Sequence, residues 1–141
     1  MQSFVYPVTL AEDPEGGSIV TCRDLPEVIT QGDTREDALE AAEGALQAAT
    51  EMRIQDDEDI PAASEAQRGE VLVAVPIGTA MKAALYLAMR EQGVNKSELA
   101  RRLGVDEKEA RRTLDSKHGT KIPALECALH LLGKRPELRI C

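Results

Sequence analysis

The sequence predicts an α+β protein in which a small sheet with one helix is followed by an all-α part. Apolar residues alternate at every second position near the N-terminus, which is the spacing of β-strands. In the C-terminal half they recur at every third or fourth position, which is the spacing of helices. The charge also divides, since residues 1–79 hold 4 Lys or Arg and 17 Asp or Glu, whereas residues 80–141 hold 13 and 8. We therefore predict two domains, an acidic one at residues 1–76 and a basic one at residues 77–141.

Three strands are predicted near the N-terminus. The apolar side of the first is formed by Phe4, Tyr6, Val8 and Leu10. Because Pro7 has no amide to donate to a second neighbour, this segment is predicted to be an edge or first strand. Turn-forming residues at 13–17 lead into a second strand at 18–23, and a short third strand at 28–31 ends at Gly32.

One long helix is predicted next, from about residue 34 to residue 52. Asp33 and Glu36 fit a capping box at its start. Its buried stripe is predicted to consist of Leu39, Ala42, Leu46 and Ala49. An acidic run and a loop-like stretch between residues 56 and 69 predict a mobile connection. Residues 70–75 then alternate as a fourth strand, so the first domain has the order β-β-β-α-β.

Four helices are predicted in the second domain. The first has an apolar stripe typical of a buried support helix and ends before Gly93. Two short helices follow between Asn95 and Asp115, joined through Gly104, and a fourth helix begins near Pro123. Two capping boxes bound the short helices, Asn95 with Glu98 and Asp106 with Glu109.

The two short helices are typical of a helix-turn-helix. A short basic second helix suits the DNA major groove, so Lys108, Arg111 and Arg112 are predicted to read bases. Phosphate contacts are predicted at the preceding helix start and along a basic rim, at Asn95, Lys96, Ser97, Lys117, His118 and Lys121. Glu109 is assigned to capping, and Glu107 receives no role. The alternative is an ordinary helical hairpin with a solvated basic face.

Other kinds of site find little support in the sequence. The three cysteines form no CxxC pair and are odd in number, which favours neither a disulfide framework nor a zinc site. No nucleophile triad, Walker loop or dinucleotide-binding motif is present, so no cofactor is predicted. A metal-binding carboxylate set is conceivable at Asp13, Glu15, Asp24 and Asp33. Turn and cap acids are more often solvated, however, so no metal is predicted.

The sequence contains no apolar run long enough to span a membrane and no signal-peptide pattern at its start. Together with the cysteine usage, this predicts a soluble protein of the reduced cytoplasm. Stacking on single-stranded RNA is not expected, because the chain has only 3 aromatic residues and two of them are in the first strand.

Local strings of the sequence resemble the HicB antitoxins. They are FVYPVTLAEDPEGGSIVTCRDLPEVITQGDTREDALEAA from Phe4 to Ala42, ELARRLGV from Glu98 to Val105, and HGTKI from His118 to Ile122. The resemblance implies a truncated ribonuclease H-like first domain and the helix-turn-helix branch of the family. It also implies an antitoxin that neutralises a HicA-type mRNA interferase toxin and represses its own operon by binding operator double-stranded DNA.

An acidic domain is suited to a basic ribonuclease, since opposite charges attract and the toxin must hold RNA. By surface chemistry the toxin-binding residues are predicted to be Glu15, Asp24 and Glu27, with the stripe Glu36, Glu40 and Glu43 as second choice. That stripe also fits an ordinary solvated face. A homodimer or higher homo-oligomer reading a palindrome is expected, with no enzymatic activity. Alternative functions are a metal-dependent nuclease with a DNA-binding module and a stand-alone ligand-sensing regulator.

Overall fold

The computed structural model describes residues 2–141, which form one four-stranded antiparallel sheet and five α-helices. The chain divides into two compact units, one reaching to Ile77 and the other spanning Gly78–Cys141, here called unit 1 and unit 2. The predicted α+β class is confirmed. The elements are β1 (Val5–Glu12), β2 (Ser18–Thr21), β3 (Ile29–Gly32), α1 (Arg35–Gln55), β4 (Glu70–Ala74), α2 (Ile77–Gln92), α3 (Lys96–Leu103), α4 (Glu107–Leu114) and α5 (Ile122–Leu131).

The strand order in the sheet of unit 1 is β3-β2-β1-β4. The first strand is therefore central, because β1 pairs with β2 from Thr9 onward and with β4 up to Thr9. Pro7 lies opposite Leu72 of β4, in the part of β1 that β2 does not pair with. Near Pro7, β1 pairs with β4 but not with β2, and a proline is tolerated where a strand has one unpaired side. The expectation of an edge strand is therefore wrong for β1. Its N-terminal part pairs with β4 and its C-terminal part pairs with β2.

Helix α1 packs on one face of the sheet and forms the core of unit 1. Its residues Ala42, Leu46 and Ala49 are buried as predicted, but Ala38 is buried in place of the half-exposed Leu39. The helix start passes very close to Gly32. A Cβ atom at that position would lie 2.2 Å from the backbone nitrogen of Ala38, so only glycine fits.

The start of α1 differs from the prediction by one residue. Thr34, not Asp33, is the N-cap, and its side chain accepts a hydrogen bond from the backbone amide of Asp37 at 3.1 Å. The extended backbone of Thr34 is the conformation that an N-cap requires. The predicted capping box of Asp33 and Glu36 is therefore wrong, although the first turn remains acidic, as the helix dipole favours.

The connecting segment, residues 56–69, has no regular secondary structure, yet it is fastened to the rest of unit 1. Ile60 is buried in the core. Side-chain hydrogen bonds hold the segment, among them Tyr6 Oη to Pro61 O (2.8 Å), Arg53 Nη1 to Asp59 O (2.7 Å), Arg23 Nη2 to Glu65 O (2.7 Å), and both the amide and hydroxyl of Ser64 to Asp24 (2.8 and 2.6 Å). The stretch that was predicted to be a mobile connection therefore makes defined contacts with the rest of unit 1.

In unit 2 the four predicted helices are all present. The α2 stripe is buried through Met81, Leu85, Ala88 and Met89. Pro123 lies in the first turn of α5, where its missing amide has no partner to lose. Gln92, at the end of α2, donates to the backbone oxygen of Leu132 at 2.7 Å and so fastens α5. No helix within residues 2–141 is long and apolar enough to cross a membrane.

Candidate functional site

The centre of unit 2 is the helical pair, defined as α3 and α4 with the three residues between them. Gly104 ends α3 in the left-handed conformation, with φ at 71°, which glycine adopts without strain. Asp106 then caps α4 by accepting from the amide of Glu109 at 2.8 Å, as Asn95 caps α3 by accepting from Glu98 at 2.8 Å. Two tightly bounded eight-residue helices result.

The acids of the two predicted capping boxes do not complete them. The carboxylate of Glu98 instead accepts hydrogen bonds from Arg101 and Arg102, at 2.5 to 3.0 Å. These bonds lower the pKa of Glu98 to about 2. Glu109, assigned to capping from the sequence, lies with its carboxylate 3.6 Å from Arg112. The capping assignment of Glu109 is therefore wrong, because a nearby cation on its own helix attracts the side chain.

Glu107, which received no role from the sequence, links the two helices. Its carboxylate accepts a hydrogen bond from the Ser97 hydroxyl in the first turn of α3. It also lies 3.8 Å from the guanidinium of Arg111, one turn further along α4. Ser97 and Arg111 were predicted to contact DNA independently of each other, whereas the structure connects them through the Glu107 carboxylate. It brings a negative charge between two predicted DNA contacts.

All nine residues predicted to bind DNA have exposed side chains. They fall into three groups. Asn95, Lys96 and Ser97 lie at the start of α3, and Lys108, Arg111 and Arg112 lie on α4. The third group, Lys117, His118 and Lys121, lies between α4 and α5 in the stretch 115–121, which we call the basic loop.

The basic loop is held by residues that the sequence analysis missed. Lys82 of α2 is only 7% exposed, and its ammonium donates to the backbone oxygens of Asp115 and His118, each at 2.6 Å. Thr120 donates from its hydroxyl to the backbone oxygen of Arg112 at 3.1 Å. A charged residue inside the apolar run of α2 was the signal that could have identified Lys82.

In unit 1, the turn after β1 and the end of β3 enclose an acidic depression of about 230 Å³. Glu15 lines it together with Asp13 and Asp33. The Asp13 carboxylate accepts from the amide of Glu15 at 3.0 Å, which shapes the turn. Glu15, predicted to contact a partner, is exposed at this rim.

Asp24 and Glu27, the other two first-choice partner contacts, have bonds within unit 1. Asp24 holds Ser64, and its side chain is only 10% exposed. Glu27 forms a two-bond ion pair with Arg53, at 2.6 and 2.9 Å, which lowers the pKa of Glu27. Both side chains therefore stabilise the fold. Of the two, only Glu27 keeps an exposed part that a partner protein could contact.

The acidic stripe on α1 has a different environment. Glu36, Glu40 and Glu43 are all exposed on the outer side of the helix. They lie at helical spacing along its first half, on a helix whose other side is buried. Of the two predicted partner surfaces, this stripe is the more accessible.

The four acids considered as a metal site do not converge. Asp13, Glu15 and Asp33 share the depression, whereas Asp24 belongs to the contact with the connecting segment. Across residues 2–141, no three His, Cys, Asp or Glu side chains are arranged so that they could hold a metal ion. The free cysteines are Cys22, which is buried, and Cys127 and Cys141, which are exposed.

Comparison with known proteins identifies the family. The model of the HicB-like antitoxin of bacterial toxin-antitoxin systems matches residues 5–84, which include all of unit 1 except its first few residues. The chain belongs to the HicB antitoxin family. Antitoxin HicB of Escherichia coli is 40% identical over 133 residues, which cover 94% of this chain and 96% of that protein.

Other HicB relatives match over a similar length. Antitoxin HicB 1 of Photorhabdus laumondii subsp. laumondii is 40% identical over 140 residues, covering 99% of this chain and 89% of that protein. Antitoxin HicB of Pseudomonas fluorescens is 37% identical over 133 residues, covering 94% and 90%. The similarity to HicB antitoxins thus includes unit 2, and the predicted resemblance is confirmed. The names of these relatives describe antitoxins and not enzymes.

Proposed function

We propose that this antitoxin neutralises a HicA-type mRNA interferase through unit 1 and represses its own operon through unit 2. The observation that carries the proposal is the opposite charge of the two units. Residues 1–79 have a net charge of −13 and residues 80–141 a net charge of +5. A basic ribonuclease and a DNA phosphate backbone are attracted to opposite signs of charge, so one surface cannot serve both.

For DNA, the proposed domain is residues 77–141 and the proposed motif is a helix-turn-helix formed by the helical pair. Helix α4 would enter the major groove, because it is short, begins sharply at its Asp106 cap and exposes Lys108, Arg111 and Arg112. The amides at the start of α3 and the basic loop would hold phosphates on either side. No cofactor or metal takes part.

For the toxin, the proposed domain is residues 1–76, with its β-β-β-α-β order in a truncated ribonuclease H-like fold. Two of its four basic residues, Arg23 and Arg53, are already paired with Glu70 and Glu27. These two pairs leave the net charge of the domain unchanged, and only two of its basic residues, Arg35 and Arg68, stand outside them. We favour the α1 stripe of Glu36, Glu40 and Glu43 as the toxin contact, with Glu15 at the depression as the alternative.

A homodimer is proposed because one helix-turn-helix covers only half of a palindromic operator. Two copies would face successive major grooves about 34 Å apart. Size-exclusion chromatography with light scattering, repeated with operator DNA, measures the number of copies directly. A monomer that binds DNA specifically would contradict the dimer.

Fluorescence anisotropy with the upstream intergenic DNA tests the DNA part. Replacing Arg111 and Arg112 by alanine should weaken specific binding by at least about 30-fold, since each of the two base contacts contributes roughly 1–3 kcal/mol. The matched control replaces Arg135 and Arg139, two exposed arginines beyond α5, and removes the same charge. Equal losses in both variants would contradict base reading by α4. Toxin neutralisation should stay unchanged in both.

Two triple variants with the same loss of charge test the toxin part. One replaces Glu36, Glu40 and Glu43 by glutamine, and the other replaces Asp13, Glu15 and Asp33 by their amides. The variant that weakens binding to the co-expressed toxin more identifies the contact surface. If neither variant weakens it, the acidic unit does not bind the toxin through these residues.

A further inference from the structure

Lys82 connects the support helix to the far end of the helical pair. It lies in the second turn of α2 and is only 7% exposed. Its ammonium group donates to the backbone oxygen of Asp115, the C-cap residue of α4, and to that of His118, each at 2.6 Å. One cation therefore fixes two points of the basic loop.

The location of this cation has a physical reason. The carbonyl groups at the end of a helix carry partial negative charge, and a cation there is favourable. An ammonium has three donors, so it can bond the α4 end and the loop at once. A residue of the same length without donors would leave both carbonyl oxygens with one bond fewer at a partly buried contact, which is costly.

Other bonds complete the loop around Lys82. The backbone amide of Lys117 donates to the Asp115 carboxylate at 2.9 Å, and the Thr120 hydroxyl donates to the Arg112 oxygen at 3.1 Å. The side chains of Lys117, His118 and Lys121 stay exposed. A short irregular loop thus presents three basic groups from a backbone that is anchored at both ends.

From this geometry we infer that Lys82 is a positioning residue for DNA binding, which holds Lys117 and Lys121 at a fixed distance from α4. The inference rests on the proposed function of unit 2. Lys82 itself is buried and does not touch DNA. Its contribution passes through the basic loop, because the two carbonyl groups that it bonds belong to Asp115 and His118, which precede and follow the pair Ser116 and Lys117.

The test compares Lys82→Met with Lys134→Met in full-length protein. Lys134 is the matched control, since it also pairs with α2, through Glu91 at 3.1 Å, but does not contact the basic loop. Affinity for operator DNA is measured over a range of salt concentrations. The slope of log affinity against log salt concentration is negative and becomes shallower as phosphate contacts are lost. If Lys117 and Lys121 each hold one phosphate, its magnitude should decrease by about 2 in Lys82→Met. Lys134→Met should keep the wild-type slope.

A double-mutant cycle separates positioning from general destabilisation. In a protein that already carries Lys117→Ala and Lys121→Ala, Lys82→Met should cause no further loss of affinity. Thr120→Val removes the hydroxyl bond to α4 but keeps Lys82, and it should show the same shallower salt dependence. This variant serves as the test if Lys82→Met does not fold. Additive losses in the cycle, or an unchanged slope in both variants, would overturn the inference.

Hydrogen exchange distinguishes this inference from the proposed function. The amides of residues 116–120 should exchange faster in Lys82→Met, while those of α3 keep their rates. If the wild-type protein binds no DNA, the proposed function of unit 2 fails. If the wild type binds and Lys82→Met binds equally well with the same salt slope, only the role of Lys82 fails.

Discussion

The carboxylate of Asp24 accepts hydrogen bonds from both the amide and the hydroxyl of Ser64, at 2.8 and 2.6 Å, although the two residues are 40 positions apart. This contact ties the loop after β2 to the connecting segment. It explains why a stretch without helix or strand has a defined course. It also shows that an acid in a negatively charged unit can be structural.

Asp24→Ala should destabilise unit 1 by about 1–3 kcal/mol, because it removes two hydrogen bonds to a carboxylate that is only 10% exposed. Chemical denaturation measures this change. Trypsin should also cleave after Arg68 faster in the variant, since the connecting segment loses one of its anchors. Glu65→Gln, a charge-matched change in the same segment, should alter neither measurement. An equal stability for Asp24→Ala would show that the contact contributes little.

Gly32→Ala should lower the free energy of unfolding of unit 1 by about 1–3 kcal/mol or more, which is the usual cost of overpacking. Its Cβ would meet the backbone of α1 at 2.2 Å, and a backbone cannot turn aside as a side chain can. Gly44→Ala is the opposite case, because Gly44 lies within α1 with nothing near its Cβ position. That change should stabilise the protein by about 0.5–1 kcal/mol. Thermal unfolding of both variants, compared with the wild type, checks the two signs.

The ion pair of Glu27 and Arg53 predicts a pH dependence of stability. Arg53 lowers the pKa of Glu27 in the folded protein, so the pair stabilises the fold above the ordinary glutamate pKa. This contribution is lost as the pH falls through the lowered pKa. Because Glu27 is 41% exposed, we expect a difference of only about 0.5–1 kcal/mol between wild type and Glu27→Gln at pH 7. The difference should vanish in unfolding experiments at acidic pH, and a constant difference would contradict the assignment.

Glu107→Gln should strengthen DNA binding if α4 enters the groove. The change removes a negative charge that lies 3.8 Å from Arg111 and so frees the arginine for phosphate or base. An exposed pair of this kind contributes roughly 0.2–1 kcal/mol, which corresponds to at most about a fivefold gain in affinity. Glu126→Gln on α5 removes the same charge at an exposed position outside the helical pair and should have a smaller effect. Weaker binding by Glu107→Gln would mean that the carboxylate contacts the DNA itself.

Residues that are close in sequence were the most predictable. Alternation identified the strands of unit 1, and the spacing of Met81, Leu85 and Met89 identified α2. The caps Asn95 and Asp106 were also correct, because an N-cap contacts an amide only three residues away.

The errors arose where bonds join distant parts of the chain. Nothing in the local composition of residues 56–69 reveals that Arg23, Asp24 and Arg53 hold that segment from elsewhere. Lys82 was missed for the same reason, since its acceptors lie more than 30 positions later. The acids Glu98 and Glu109 illustrate a second limit, because a capping amide and a nearby arginine compete for one carboxylate, and the sequence alone does not rank them.

Every arginine of the helical pair has a carboxylate of its own helix within 4.0 Å. In a cell, a DNA-binding protein competes for its site against a very large excess of unrelated sequence. An arginine that must leave a carboxylate before it reaches a phosphate gains little from an arbitrary stretch of nucleic acid. Only a site whose bases also form hydrogen bonds with these arginines offsets the loss of the carboxylate contact. If unit 2 binds its operator as proposed, the acids next to these arginines would shorten the time that the protein spends on unrelated chromosome and RNA, and would leave more of it available to the operator.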